Sequence, residues 1–143
     1  MSLYSHYCTD HIFNVDDGTV SVRNVDVDPN GKYQQICGYA EGDPAYPGEG
    51  GALIVHFPLS PVGNYWLLDT DDKNYASVYS CVSFLNIIKI EFAWVLVRDL
   101  NISTDLIDKA KSAFTNNKLD VSLFEIVEHK DCVYDPPDVP SCN

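Results

Sequence analysis

Apolar and polar positions alternate along most of this chain in short bursts, and turn chemistry closes nearly every burst. The pattern predicts strands over Thr9–Val15, Thr19–Val27, Lys32–Ala40, Ala52–Phe57, Tyr65–Leu68, Tyr75–Val82 and Ile87–Arg98. Asp16-Asp17-Gly18 and Asp28-Pro29-Asn30-Gly31 are turn sequences between them, because Asp, Asn and Gly tolerate the tight backbone angles a hairpin demands. Glu41–Gly51 holds two prolines and four glycines and reads as a long loop. At the centre, Asp69-Thr70-Asp71-Asp72-Lys73-Asn74 joins Tyr65–Leu68 to Tyr75–Val82 as a hairpin.

The seventh strand departs from simple alternation. Ile88, Ile90, Phe92, Trp94 and Leu96 share one phase, but the other phase turns apolar at Ala93, Val95 and Val97, so that part needs a cover on its outer side. Thr104–Thr115 supplies one, with Leu106, Ile107, Ala110, Ala113 and Phe114 at helical spacing. Ser103 or Thr104 is the expected N-cap, Asp105 suits the first turn and Asn116-Asn117 is the stop. Leu123–His129 reads as a last strand, and Asp135-Pro136-Pro137 begins a tail without regular structure. Short, evenly spaced strands suit an up-and-down barrel or a sandwich, and the single late helix favours an all-β antiparallel barrel with that helix packed outside. Residues 1–134 form the expected barrel domain, with the helix at about 104–116, and 135–143 a Pro-rich tail.

Composition narrows the partners. A net charge of −12 over 143 residues repels phosphate backbones and anionic membranes, which argues against nucleic acid. No apolar run approaches the ~20 residues that span a bilayer. Met1-Ser2-Leu3-Tyr4 lacks the charged and apolar regions of a signal peptide. The five cysteines show no C-x-x-C spacing and lie far apart, which suits long-range disulfides in an oxidising compartment. Asn101-Ile102-Ser103 is a glycosylation sequon. Secretion is therefore the expectation, with the signal peptide not in this chain.

Several motifs in the right order resemble the lipocalin family. Thr70-Asp71 and Tyr75, followed by Val78-Tyr79-Ser80-Cys81, match its second signature; Phe92-Ala93-Trp94-Val95-Leu96-Val97-Arg98 matches its third. Tyr65-Trp66, Asn74-Tyr75-Ala76, Phe92-Ala93-Trp94, Asn116-Asn117 and Leu119-Asp120-Val121 are most similar to the apolipoprotein D and insect bilin-binding branch. The family's opening Gly-x-Trp strand has no match here. The resemblance therefore implies a barrel without its first strand, an Arg98 without the Trp it stacks on, and an open edge at which a second copy of the chain can pair. It also implies a Cys8–Cys132 disulfide, whose long loop is worth about 4–5 kcal/mol in the entropy model. Cys81 is left to pair with Cys142, to bond another chain or to stay free, and Cys37 has no family counterpart.

Taking the large residues of each alternation as inward gives Phe13, Val22, Asn24, Ile36, Val55, Phe57, Tyr65, Leu67, Val78, Phe92 and Trp94. The resemblance makes this set a pocket for a small hydrophobic ligand, with Trp94, Phe92, Tyr65 and Phe57 giving contact area and Asn24 a polar anchor. A non-covalently bound bilin or retinoid suits it, as do sterols and fatty acids, and no covalent or metal cofactor is required. The rival chemistries are weaker. Asp69, Asp71 and Asp72 lack the Gly and terminal Glu of a calcium loop, and His6, His11, His56 and His129 have no metal-ligand spacing. Cys37 and Cys81 are not clearly inward, so a catalytic thiol is not expected, and the protein is expected to be a carrier and not an enzyme.

Overall fold

The structure, a computed structural model, describes residues 7–16, 18–28, 30–85, 87–133, 140 and 142; for 7–16 and 84 it describes the backbone alone. Seven antiparallel strands follow in chain order: β1 (Tyr7–Asp16), β2 (Thr19–Val27), β3 (Tyr33–Gly42), β4 (Ala52–His56), β5 (Gly63–Thr70), β6 (Tyr75–Phe84) and β7 (Ile88–Val97). One helix, α1 (Thr104–Asn116), comes after them. The all-β antiparallel class and the late helix agree with the sequence expectation. The chain forms two compact units, one from Met1–Glu41, His56–Pro61 and Glu125–Asn143, the other from Gly42–Val55 and Val62–Phe124.

In the first unit, Gly18 takes the left-handed backbone (φ 83°) that the Asp-Gly turn requires. Phe13 stands opposite Val22, Asn24 opposite Ile36 and Val22 opposite Gly38, so these positions share one face. Gly38 is a necessity of packing: a Cβ there would lie 2.2 Å from the His56 carbonyl oxygen and 2.6 Å from the Phe57 ring. Val22 and Val25 lie on opposite faces of β2 yet both are buried. The second face is covered by the C-terminal segment. Tyr33, Gln35 and Cys37 are alternate residues of β3. The Tyr33 hydroxyl accepts from the Val133 amide (2.7 Å), Gln35 Nε2 donates to the Pro140 carbonyl, and Cys37 is disulfide-bonded to Cys142.

In the second unit, the β5–β6 hairpin is closed by the side chains that first marked it. Asp71 Oδ1 accepts from the amides of Lys73, Asn74 and Tyr75 (3.1, 2.6 and 3.1 Å), and Thr70 Oγ1 donates to the Tyr75 carbonyl (2.7 Å). A bulge between Leu67 and Asp69 then changes the phase of β5: Leu67 pairs with Val78, but Asp69 pairs with Ser77. Helix α1 covers the Ser77 side of β5, β6 and β7. Ser77 is fully buried there and its hydroxyl donates to the Ala110 carbonyl (2.8 Å). Ser103, not Thr104, is the N-cap, and Asn117 caps the last turn through Nδ2 on the Ala113 carbonyl (2.7 Å). The cover predicted for Ala93, Val95 and Val97 is thus in place.

One element is corrected. Leu123–His129 is not a strand: Val121–Leu123 is a 3₁₀ turn capped by Asp120, and beyond it only Glu128 makes a bridge. The alternation there is not used by any sheet. Phe124 turns in to meet Phe114 (centroids 4.9 Å apart, rings at 83°), while Leu123 and Ile126 point to solvent.

Candidate functional site

Strand register decides which side chains share a surface. In the second unit, Leu53 pairs with Tyr65, Leu67 with Val78 and Val78 with Trp94, while Ser80 pairs with Phe92. These residues occupy the face opposite helix α1. Val78 is 1% exposed and Ser80 is buried, whereas Phe92, one residue pair from Trp94, is 45% exposed. The aromatic rings are aligned. Phe92 and Trp94 stack with centroids 5.7 Å apart and planes at 3°, and Tyr65 lies 6.3 Å from Trp94 at 23°. Extended backbone makes this alignment natural, since positions two apart on one strand project in the same direction.

The expected residues divide between the units. Val55, Tyr65, Leu67, Val78, Phe92 and Trp94 come together on the face just described. Val22, Asn24, Ile36 and Phe57 lie on the Gly38 face of the first unit, where Asn24 is half-buried and already engaged within the protein. Phe13 belongs to that face by register, and its side chain lies outside the described residues. Ser80 was missed. A serine carries no hydrophobic signal, and only its place two residues after Val78 could have found it; its hydroxyl is 3.4 Å from Asn64 Oδ1.

Tyr65 and Ser80 bring hydroxyl groups to this face. Burial pushes the Tyr65 phenol up to about 12, so it stays protonated through the neutral range. The raised value has a consequence for stability. Below pH 10 the group is neutral in folded and unfolded chains alike; between about pH 10 and 12 the unfolded chain ionises first, and stability falls. Tyr65 is expected to cost about 2–3 kcal/mol over that window, and Tyr65→Phe to keep it. Denaturant midpoints at pH 8 and pH 11.5 test this; an unchanged pH dependence in Tyr65→Phe would refute it. On the helix side, Tyr75 donates to Asp69 (2.6 Å) and Tyr79 to Glu91 (2.6 Å), and both phenols are likewise raised, Tyr75 first by its hydrogen bond and Tyr79 first by burial.

Cys81 pairs in register with Glu91, on the helix-side phase, and is the free thiol among the described residues. The pairing of Cys81 with Cys142 therefore does not form, because Cys37 projects from the β3 face that receives the C-terminal segment. Cys132 is itself disulfide-bonded; the side chain of Cys8, its expected partner, lies outside the described residues. Asn101 is exposed in the connection from β7 to α1, with Nδ2 3.3 Å from Asp99 Oδ1.

A family model, lipocalin / cytosolic fatty-acid binding protein family, matches residues 8–131. The chain belongs to this lipocalin family. Apolipoprotein D of Macaca fascicularis is 34% identical over 118 residues, covering 82% of this chain and 61% of that protein. The Lazarillo protein of Schistocerca americana is 40% identical over 80 residues, 54% of this chain and 37% of that one. Lobster apocrustacyanin A1 superposes with a TM-score of 0.78 at 22% identity, covering 91% of this chain and 71% of that one. This lipocalin chain thus spans about three fifths of the length of its apolipoprotein D relatives (61% for the macaque protein). Its relatives extend across several lipocalin branches, and the fold is the one shared with the crustacyanin subunits.

Proposed function

We propose that this lipocalin is an extracellular carrier of a small hydrophobic molecule, with binding and not catalysis as its activity. The observation that carries the reading is the apolar face of β5, β6 and β7. There Phe92 and Trp94 are stacked at 3° with Phe92 still open to solvent, so aligned aromatic area is available for a ligand to cover. Val55, Tyr65, Leu67, Val78, Phe92 and Trp94 are the proposed contacts in this unit, and Phe13, Val22, Asn24, Ile36 and Phe57 those of the first. At ~25 cal/mol per Å² of apolar area, a few hundred Å² of ligand covered supports micromolar affinity. The motif detail from Tyr65-Trp66 to Leu119-Asp120-Val121 favours the apolipoprotein D side of the family. Asn101 is the proposed glycosylation site.

Fluorescence tests the reading, because the two tryptophans lie on opposite faces: Trp94 on the apolar face, and Trp66, in register with Tyr79, on the helix side. Titration with all-trans-retinol is expected to quench emission saturably at micromolar concentration in Trp66→Phe. Trp94→Phe is expected to lose most of that response. No saturable quenching, together with native mass spectrometry showing no bound mass, would count against a carrier. One observation favours a second reading: Ile88 and Ile90 are also exposed, on the strand that ends the sheet order. Self-association through β7 would cover them, and a dimer on a sizing column that dissociates in Ile90→Lys would support it.

A further inference from the structure

Residues 88–92, the first half of β7, are exposed in both phases of the strand, while 93–97 are half-buried. Ile88, Ile90 and Phe92 are 56%, 47% and 45% exposed in one phase, and Lys89 and Glu91 are exposed in the other. β7 ends the sheet order, hydrogen-bonded to β6 on one side. A strand in that place is normally blunted by Pro, by a bulge or by brevity. β7 uses none of these: it runs ten residues without Pro or Gly and keeps an unbroken register with β6. The Tyr79 hydroxyl also donates to Glu91 Oε1 (2.6 Å), which fixes that carboxylate at the strand surface.

The order of charges on this strand makes it complementary to itself. Two copies joined antiparallel are related by a twofold axis, and residues opposite each other must point to the same side of the sheet. The axis therefore falls on a residue and not between two. Centred on Lys89 or on Glu91, it sets that residue against its own copy, like charge against like, which is destabilising. Centred on Ile88 it sets Lys89 against Ile87, and centred on Phe92 it sets Glu91 against Ala93, so the charges find no partners. Centred on Ile90, Lys89 of each copy faces Glu91 of the other, Ile88 faces Phe92 and Ile90 faces itself. Every charge is then matched and every exposed apolar residue is covered. We propose that two copies of this chain pair antiparallel through β7 on a twofold at Ile90, with Lys89 of each against Glu91 of the other. The proposal rests on the self-association reading and fixes its register.

Charge exchange tests it, with sizing chromatography and light scattering on the full chain as readout. The unchanged protein is expected to form a reversible dimer at micromolar concentration, since about five facing pairs make a small interface. Lys89→Glu sets Glu against Glu at both pairs, and Glu91→Lys sets Lys against Lys; each is expected to weaken the dimer about tenfold. An equimolar mixture of the two variants matches the charges again and is expected to recover the dimer. Net charge alone cannot give that recovery. A dimer that neither variant weakens, or a mixture that stays monomeric, would overturn the register and leave self-association standing. A monomer at every concentration would overturn both; if its amides at 88–92 resist hydrogen exchange, another segment of the same chain holds the edge.

Discussion

Phe114→Ala is expected to destabilise the chain by about 3–5 kcal/mol, the largest effect of any single truncation considered for α1. Phe114 is 0% exposed, and the other buried residues of the helix, Ala110 and Ala113, are too small to anchor it. The ring also meets Phe124 edge-on at 4.9 Å, so its loss releases both the helix and the chain that follows it. The cavity left behind faces strands fixed by their hydrogen-bonded ladder, which leaves little scope for collapse. With domain stabilities of about 5–15 kcal/mol, such a loss approaches the whole margin. Urea unfolding followed by circular dichroism measures it; a loss below about 1 kcal/mol would show that the helix is held by something other than this ring.

Cys37→Ser/Cys142→Ser, made together so that no new thiol is exposed, is expected to cost about 2–5 kcal/mol. The bridge joins residues 105 apart in sequence, but Cys132 is already cross-linked, so the loop it closes is shorter. Its worth in the chain-entropy model falls below the value of about 4.7 kcal/mol for a free loop near that length. The contacts of Tyr33 with Val133 and of Gln35 with Pro140 remain, so the folded segment still has docking partners while the unfolded chain is freer. Two readouts follow. The denaturant midpoint should fall, and the dependence of stability on denaturant should steepen, because the uncrosslinked chain exposes more surface on unfolding. An unchanged midpoint and slope would mean that the bridge adds nothing beyond those contacts.

Much of this architecture was legible because it is local. Alternation places Val20, Val22 and Asn24 on one face of β2 and needs only the two-residue period of a strand to be seen. Thr70, Asp71 and Tyr75 were readable for a similar reason: Asp71 closes its turn with amides two, three and four residues on, all within the motif. The outer apolar phase of β7 and the helix that covers it were also visible, since an apolar run of both phases demands a cover and an amphipathic segment follows. The failure at Leu123–His129 has the opposite origin. Alternation states a capacity to pair, and there Phe124 is claimed by Phe114 and Glu128 alone of the segment makes a bridge.

The sequence alone determined the order of strands, the position of the helix and the apolar aromatic set that the sheet brings to one face. These follow from side-chain period, turn residues and capping groups within a few positions of each other. The tertiary structure decided which cysteines meet, because Cys37 and Cys142 are brought together by the face of β3 on which the C-terminal segment lies. It also decided on which side Asp69 lies: a one-residue bulge beside Leu67 moves it to the Ser77 side, and strand phase by itself would have placed it on the apolar face.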